Sequence, residues 1–184
     1  MIKKDIYKSI LAGMAIALGC WMYMAAPNPI VGAFLFSCGL LSVRIYKLNL
    51  FTGKIQFMVT KQYPWYFYLI VFLGNIIGVS LMALLAHNNA SAAIAATKVA
   101  QPIWEAMFKG IGCGMLMSLA TYEKSPLWMC ILCVMGFILG GFNHCIADAY
   151  YMIAAGTVGT SLLGTIIGNL FGGIIFSNLV ESNV

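Results

Sequence analysis

The sequence predicts an all-α membrane protein: six transmembrane helices in two inverted three-helix repeats, with the second and fifth helices broken. Three observations carry this. The 184 residues are 62% hydrophobic and only 8% charged, with a mean hydropathy of +0.93, so there is too little polar surface to coat a soluble domain of this length. The apolar stretches approach the roughly 20 residues that a bilayer-spanning helix needs. A pair of marks also occurs twice. Leu50-Phe51-Thr52-Gly53 interrupts one apolar stretch and is followed by Leu73-Gly74-Asn75-Ile76-Ile77-Gly78. Gly141-Phe142-Asn143-His144 interrupts another and is followed by Ile167-Gly168-Asn169-Leu170-Phe171-Gly172. Paired breaks in corresponding positions of two halves point to a transport site near the bilayer midplane.

The elements follow in order. The first span runs from Ile6 to Ala26 and stops at Pro27-Asn28-Pro29. It lacks a convincing cleavage site, so it reads as a span and not as a signal peptide. The second starts at Ile30, breaks between Lys47 and Gly53, and continues as a short piece to Thr60. The third runs from Trp65 to His87, and a loop of polar and small residues, Asn88 to Gln101, follows. The fourth covers Pro102 to Tyr122. The fifth starts at Pro126, breaks between Gly140 and His144, and ends near Ile153. The sixth covers Val158 to Val180. The chain thus reads as a single transmembrane domain over residues 1–184, with repeats 1–87 and 102–184 and an outer linker 88–101. No room remains for an extramembrane domain.

Basic residues orient the chain. Lys3, Lys4 and Lys8 precede the first span, Lys54 and Lys61 lie between the second and third, and Lys124 lies between the fourth and fifth. The opposite connections hold only Lys98. The positive-inside rule then puts both termini in the cytoplasm. Three spans per half is an odd number, so the halves must be inverted relative to each other. The formal charge of +5 is small and scattered, which argues against a nucleic-acid partner. No paired carboxylates, phosphate loop or nucleophile–base set is evident, so the chain does not read as an enzyme, and no cofactor is implied. The six cysteines lie in apolar spans, and Cys130-x-x-Cys133 reads as two packed thiols, not a metal or redox motif.

These marks resemble the formate/nitrite transporter family over nearly the whole chain. Leu50-Phe51-Thr52-Gly53 resembles the family's Leu-Phe-Thr-Gly loop in the broken second helix. Gly141-Phe142-Asn143-His144-Cys145-Ile146-Ala147-Asp148 resembles its Gly-Phe-Glu-His-x-Val-Ala-Asn segment in the broken fifth helix. Gly168-Asn169-Leu170-Phe171-Gly172-Gly173 resembles its Gly-Asn-x-x-Gly-Gly in the sixth. No one string is specific alone; their order and spacing together are. The resemblance implies an aquaporin-like protomer, a homopentamer and a separate pore in each protomer. It also marks departures. Asn143 stands where the family has an acidic residue and Asp148 where it has asparagine, so the carboxylate has moved across His144. Gly114 aligns with a pore-facing asparagine. Arg44 and Lys47 stand where the family tends to be apolar or small.

His144 is the foremost site candidate, because an ionisable group deep in a span is costly and points to function. It could protonate or hydrogen-bond a weak-acid anion, or bond a carbonyl freed by the break. Chemistry alone weighs these evenly; the resemblance favours function. Thr52 is the expected partner, able to accept from His144 and donate to an anion, with helix capping as the alternative. Asn143 belongs to the same central group. Gly53 permits the unusual backbone of the break. The half-helices after each break would aim their positive N-terminal ends inward. Asn75 and Asn169 read as structural amides that tie down backbone at the breaks. By resemblance, Leu40, Phe51, Phe137 and Met117, with Phe36 a weaker member, form apolar constrictions, and Lys98 sits at the outer vestibule, where it could concentrate anions. Without the resemblance, ordinary packing and a solvated lysine would be preferred. Arg44 and Lys47 could make a positive inner vestibule, snorkel to the surface, or neutralise Asp148. Asp148 could orient His144 or balance a lysine.

The expected function is a channel-like path for small monovalent weak-acid anions, formate and nitrite foremost, with hydrosulfide, acetate and lactate possible. The expected setting is among lipid in a bacterial inner membrane. The alternatives are a pore for neutral solutes or ammonia, and a non-conducting assembly subunit, which the short chain and the basic residues near the second-helix break leave open and which a pore blocked by Arg44 or Lys47, with no flux of any candidate, would support.

Overall fold

The computed structural model describes residues 2–85 and 89–181, and among them the regular structure is helical throughout. Its elements are α1 (Ile2–Ala25), α2 (Pro29–Ile45), α3 (Phe51–Lys54) continued by a 3₁₀ turn (Ile55–Met58), α4 (Trp65–Leu85), α5 (Asn89–Val99), α6 (Ile103–Thr121), α7 (Trp128–Leu139), α8 (Cys145–Ala154) and α9 (Ser161–Glu181). Three helices, α1, α4 and α9, are long and apolar enough to cross a membrane. The ends expected for the third span and for the start of the following loop, His87 and Asn88, lie outside the described residues. The loop expected over 88–101 is otherwise largely helical: α5 fills it, favoured by an alanine-rich sequence with the strongest helix propensity of any residue.

Local chemistry sets the helix ends. Asn28 caps α2, its Oδ1 accepting from the backbone N–H of Ile30 at 3.1 Å and of Val31 at 3.0 Å, while Pro29 takes a first-turn position that lacks only an orphan donor. Both broken helices end in the same way. At the end of α2, Lys47 adopts φ 51° and the Leu48 N–H reaches back to Val43 O at 2.9 Å. At the end of α7, Gly141 adopts φ 70° and the Phe142 N–H reaches back to Phe137 O at 2.9 Å. This is a left-handed helix stop that glycine favours. Lys47 holds a conformation that costs a residue with a Cβ about 1–2 kcal/mol. Replacing Lys47 by glycine is expected to stabilise the protein by about 1 kcal/mol, read as a raised midpoint of thermal unfolding in detergent.

The strongest pairings are α1 with α4 and α6 with α9. Both rest on backbone-to-backbone approach at glycine. A Cβ on Gly78 of α4 would lie 2.2 Å from Ile10 O, and one on Gly168 of α9 would lie 2.1 Å from Met107 O. Gly114, aligned above with a pore-facing asparagine, belongs to this packing. A Cβ there would sit 2.4 Å from Asn169 O, so position 114 faces α9 and has no room for a side chain. Its counterpart in the first half is Gly13, whose Cβ would lie 2.2 Å from Asn75 O.

The two breaks are clamped alike. Asn75 Oδ1 accepts from the Phe51 N–H at 2.8 Å, and its Nδ2 donates to Ser9 O at 2.7 Å and Asn49 O at 2.9 Å. Asn169 Oδ1 accepts from the Cys145 N–H at 2.8 Å, and its Nδ2 donates to Gly110 O and Asn143 O, each at 2.8 Å. Both amides are fully buried. Each uses one side chain to satisfy the first N–H of a half-helix and a carbonyl of the preceding break. This lets a chain bend where no water is at hand to bond it. α8 has 10 residues, about 15 Å at 1.5 Å per residue, half the thickness of a hydrocarbon core.

Candidate functional site

The breaks bring Thr52 and His144 together. Thr52 sits in the first turn of α3, just past the first break. His144 is the N-cap of α8, just past the second. Thr52 Oγ1 and His144 Nε2 are 2.9 Å apart, 92 residues apart in sequence, and Thr52 is 0% and His144 1% exposed. The other ring nitrogen fixes the protons. The Ala147 N–H donates to His144 Nδ1 at 3.2 Å, so in the neutral ring the hydrogen sits on Nε2 and is donated to Thr52 Oγ1. The threonine hydroxyl keeps its own hydrogen to give. The pair therefore offers one free donor, the threonine hydroxyl, and a second, the Nε2–H, once a solute replaces Thr52 as its acceptor.

Aromatic groups wall this centre. The Phe137 ring stacks on the His144 imidazole with centroids 5.6 Å apart and planes 27° apart, and Phe36 meets Phe137 edge-on at 5.6 Å. Leu40, Phe51 and Met117 are buried in the same apolar cluster, and Phe51 packs edge-on against Phe72 at 5.1 Å. The centre is thus two buried polar side chains among apolar ones.

The N–H groups at the start of α8 are largely taken by protein acceptors. In α8 the Cys145 N–H is taken by Asn169, the Ala147 N–H by His144 Nδ1 and the Asp148 N–H by His144 O. α3 is only four residues long. The donors on offer are therefore side chains more than backbone.

On the other side of His144 lies a polar network. Lys98, at the end of α5, places its Nζ 2.5 Å from Asn143 Oδ1 and 3.3 Å from Asp148 Oδ1. Asn143 Nδ2 donates to Gln101 Oε1 at 2.6 Å and to Thr165 Oγ1 at 3.3 Å, and Thr165 lies 3.3 Å from Asp148 Oδ2. The Lys98 and Asp148 side chains are 17% and 3% exposed. Lys98 is therefore held inside the protein and is no solvated loop lysine. It balances Asp148, which removes the idea that Arg44 or Lys47 does so. Gln101 and Thr165 were not singled out from the sequence. A threonine in a glycine-rich apolar span was the available signal for Thr165; Gln101, at a helix end, gave none.

Arg44 has a different place. Its Nη1 donates to Ala120 O and to Tyr122 O at 3.0 Å, and its Nη2 to Ser125 O at 2.9 Å. The guanidinium holds the loose carbonyls at the end of α6, as cations near a helix C-terminus do. Arg44 and Lys47 help line a cavity of about 640 Å³ that also meets Asp5, Lys8, Lys54 and Glu123 and ends against Leu50 and Gly53, beside Thr52. Arg44 is thus a fixed part of the cavity wall. Gln56 ties this end of the break: its Nε2 donates to Gly53 O at 3.0 Å and to Thr121 Oγ1 at 2.9 Å. The Cys130 thiol points at Ala120 O, 3.4 Å away.

Comparison with known proteins places this geometry. The family model described as "Formate/nitrite transporter" matches residues 2–182. Among solved structures, one described as "FNT family ion channel" superposes with a TM-score of 0.85 at 23% identity, covering 98% of this chain and 89% of that one. Another, described as "Pentameric formate channel with formate bound", gives a TM-score of 0.79 at 20% identity, covering 99% and 96%. A search of curated proteins found no matching sequence.

Proposed function

Given that the chain belongs to the formate/nitrite transporter family, we propose that it is a membrane channel for small weak-acid anions of the formate and nitrite class, with one pore per protomer. In this reading the six spans form two inverted repeats in an aquaporin-like protomer, and the protomers assemble as a homopentamer with both termini in the cytoplasm. One observation carries it: the buried 2.9 Å contact between Thr52 and His144, which joins the two broken helices at their breaks. A protein needs no such contact to stay folded, because Asn75 and Asn169 already satisfy the backbone there.

The path begins in the cavity of about 640 Å³ beside Leu50 and Gly53. An anion leaving it must shed water to pass Phe51, Leu40 and Met117, which raises the barrier to a bare ion. At the centre it meets the Nε2–H of His144 and the hydroxyl of Thr52. A hydrogen bond from the hydroxyl, and one from the Nε2–H as it turns from Thr52 to the anion, replace part of the lost hydration. If the ring takes up a proton from solution at Nδ1, releasing the Ala147 N–H, the imidazolium can pass its Nε2 proton to the anion and return to neutral, and a weak acid then leaves as the neutral species past Phe137 and Phe36. Formate and nitrite suit this route because each is small and can take up one proton.

The test is uptake by proteoliposomes of purified protein, comparing formate, nitrite, hydrosulfide and ammonia. The expected result is flux of the weak-acid anions. Ammonia flux without anion flux would establish a neutral-solute pore instead, and no flux of any of them from a well-folded oligomer would establish a non-conducting assembly.

A further inference from the structure

We propose that Asp148 is a selectivity-determining residue: by cancelling the charge of Lys98 it keeps the centre neutral, so that solutes are chosen by hydrogen bonding and not by negative charge alone. This inference rests on the channel reading given above. The geometry supports it at each step. Lys98 Nζ reaches in from α5 to Asn143 Oδ1 at 2.5 Å, and Asn143 is the residue before His144. Asp148 lies one turn along α8, and its N–H donates to His144 O at 2.8 Å. The ion pair is therefore tied to the backbone on both sides of His144. At a contact of 3.3 Å, with Asp148 buried and Lys98 largely so, each charge depends on the other for compensation.

Each neighbouring element adds to this arrangement without adding charge. α9 contributes Thr165, whose hydroxyl lies between Asp148 Oδ2 and Asn143 Nδ2 at 3.3 Å from each. The chain after α5 contributes Gln101, bonded to Asn143 Nδ2. Asn143 thus accepts from the ammonium and donates to two neutral groups. Its neutrality matters, because a carboxylate there would be a second acid beside one lysine. An ammonium left alone in such surroundings would attract any small anion strongly, since charges interact far more in a dry interior than in water. A strong-acid anion, which cannot take a proton from His144, would then bind and obstruct the path.

The probe is nitrate, the anion of a strong acid, added as an inhibitor of formate uptake by proteoliposomes. In Asp148→Asn the concentration of nitrate giving half inhibition is expected to fall about tenfold, the equivalent of one pKa unit of charge interaction. In Lys98→Met/Asp148→Asn it is expected to return to within about threefold of the wild-type value, because one pKa unit corresponds to the full tenfold effect. In Lys98→Met, whose remaining carboxylate is either charged or protonated, nitrate must not become a stronger inhibitor. Asp148→Ser replaces Asp148→Asn if the amide variant does not fold. Unchanged nitrate inhibition in a folded Asp148 variant, or a double variant that keeps the single variant's shift, overturns the proposal. The same order is expected in the nitrate-induced rise of thermal unfolding of the detergent-solubilised proteins, since a ligand of the folded state raises its stability. That readout needs no transport. Absence of formate flux in the wild type would therefore count against the channel reading, while the order of the variants would still decide the role of Asp148.

Discussion

Replacing Asn169 by leucine is expected to collapse the second break and, with it, all solute flux. The substitution strands the Cys145 N–H and Asn143 O and removes a side-chain donor from Gly110 O, each now bonded at 2.8 Å. A buried backbone group left without a partner costs about 1–3 kcal/mol, and no water is available within a membrane to take its place. The loss exceeds what a helical bundle of this size tolerates easily, since whole-domain stabilities are only about 5–15 kcal/mol. The expected readout is a sharp fall in monodisperse protein after detergent extraction. Asn169→Asp separates size from chemistry. It keeps an acceptor for Cys145 but presents an oxygen to two carbonyls, so it should fail nearly as badly. A stable, conducting Asn169→Leu protein would show that the clamp is dispensable.

The second large effect is expected at His144. Removing its side chain in His144→Ala takes away the Nε2–H that meets Thr52 and the Nδ1 that caps α8. Formate flux should fall at least about tenfold, a barrier increase near 1.4 kcal/mol, and its dependence on pH should flatten. The lost cap alone should cost about 1 kcal/mol of stability. His144→Asn divides these roles. Asparagine caps a helix well but is too short to span to Thr52, so stability should be largely restored while flux stays low. Flux restored together with stability would mean that His144 serves as a cap only.

Much of this architecture is legible in the sequence, and the reasons are physical. Glycine and polar residues inside apolar runs mark both breaks, because a bilayer offers no other solvent for a bent backbone. The observed gap between Leu139 and Cys145 falls where those residues place it; the one between Ile45 and Phe51 ends earlier than the expected Lys47 to Gly53, and Gly53, helical within α3 and without a positive φ, serves the close approach of Thr121 and not an unusual backbone. Asn75 and Asn169 read as structural amides for the same reason, and their hydrogen bonds follow that reading. α5 does not show itself, since its alanines, with one serine, one threonine and a lysine among them, are too weakly apolar to read as a span and too mixed to read as a packed helix.

The pairing of Lys98 with Asp148 is hidden for another reason. The two are distant in sequence, three cations compete for one carboxylate, and only the docking of α5 on α8 selects among them. Arg44 is hidden likewise. Its partners are backbone carbonyls 76 to 81 residues away, and carbonyls leave no trace in a sequence. Gly114 is the case where alignment misleads: its backbone contact with α9 shows that the position serves packing and not the pore.

The most direct measurement is the pH dependence of formate uptake by wild-type proteoliposomes, with nitrate uptake measured in parallel. If His144 hands a proton to a weak acid at the centre, formate uptake rises as the external pH falls, because each passage draws a proton from solution, while nitrate uptake stays low throughout. Equal uptake of formate and nitrate, independent of pH, would contradict the account.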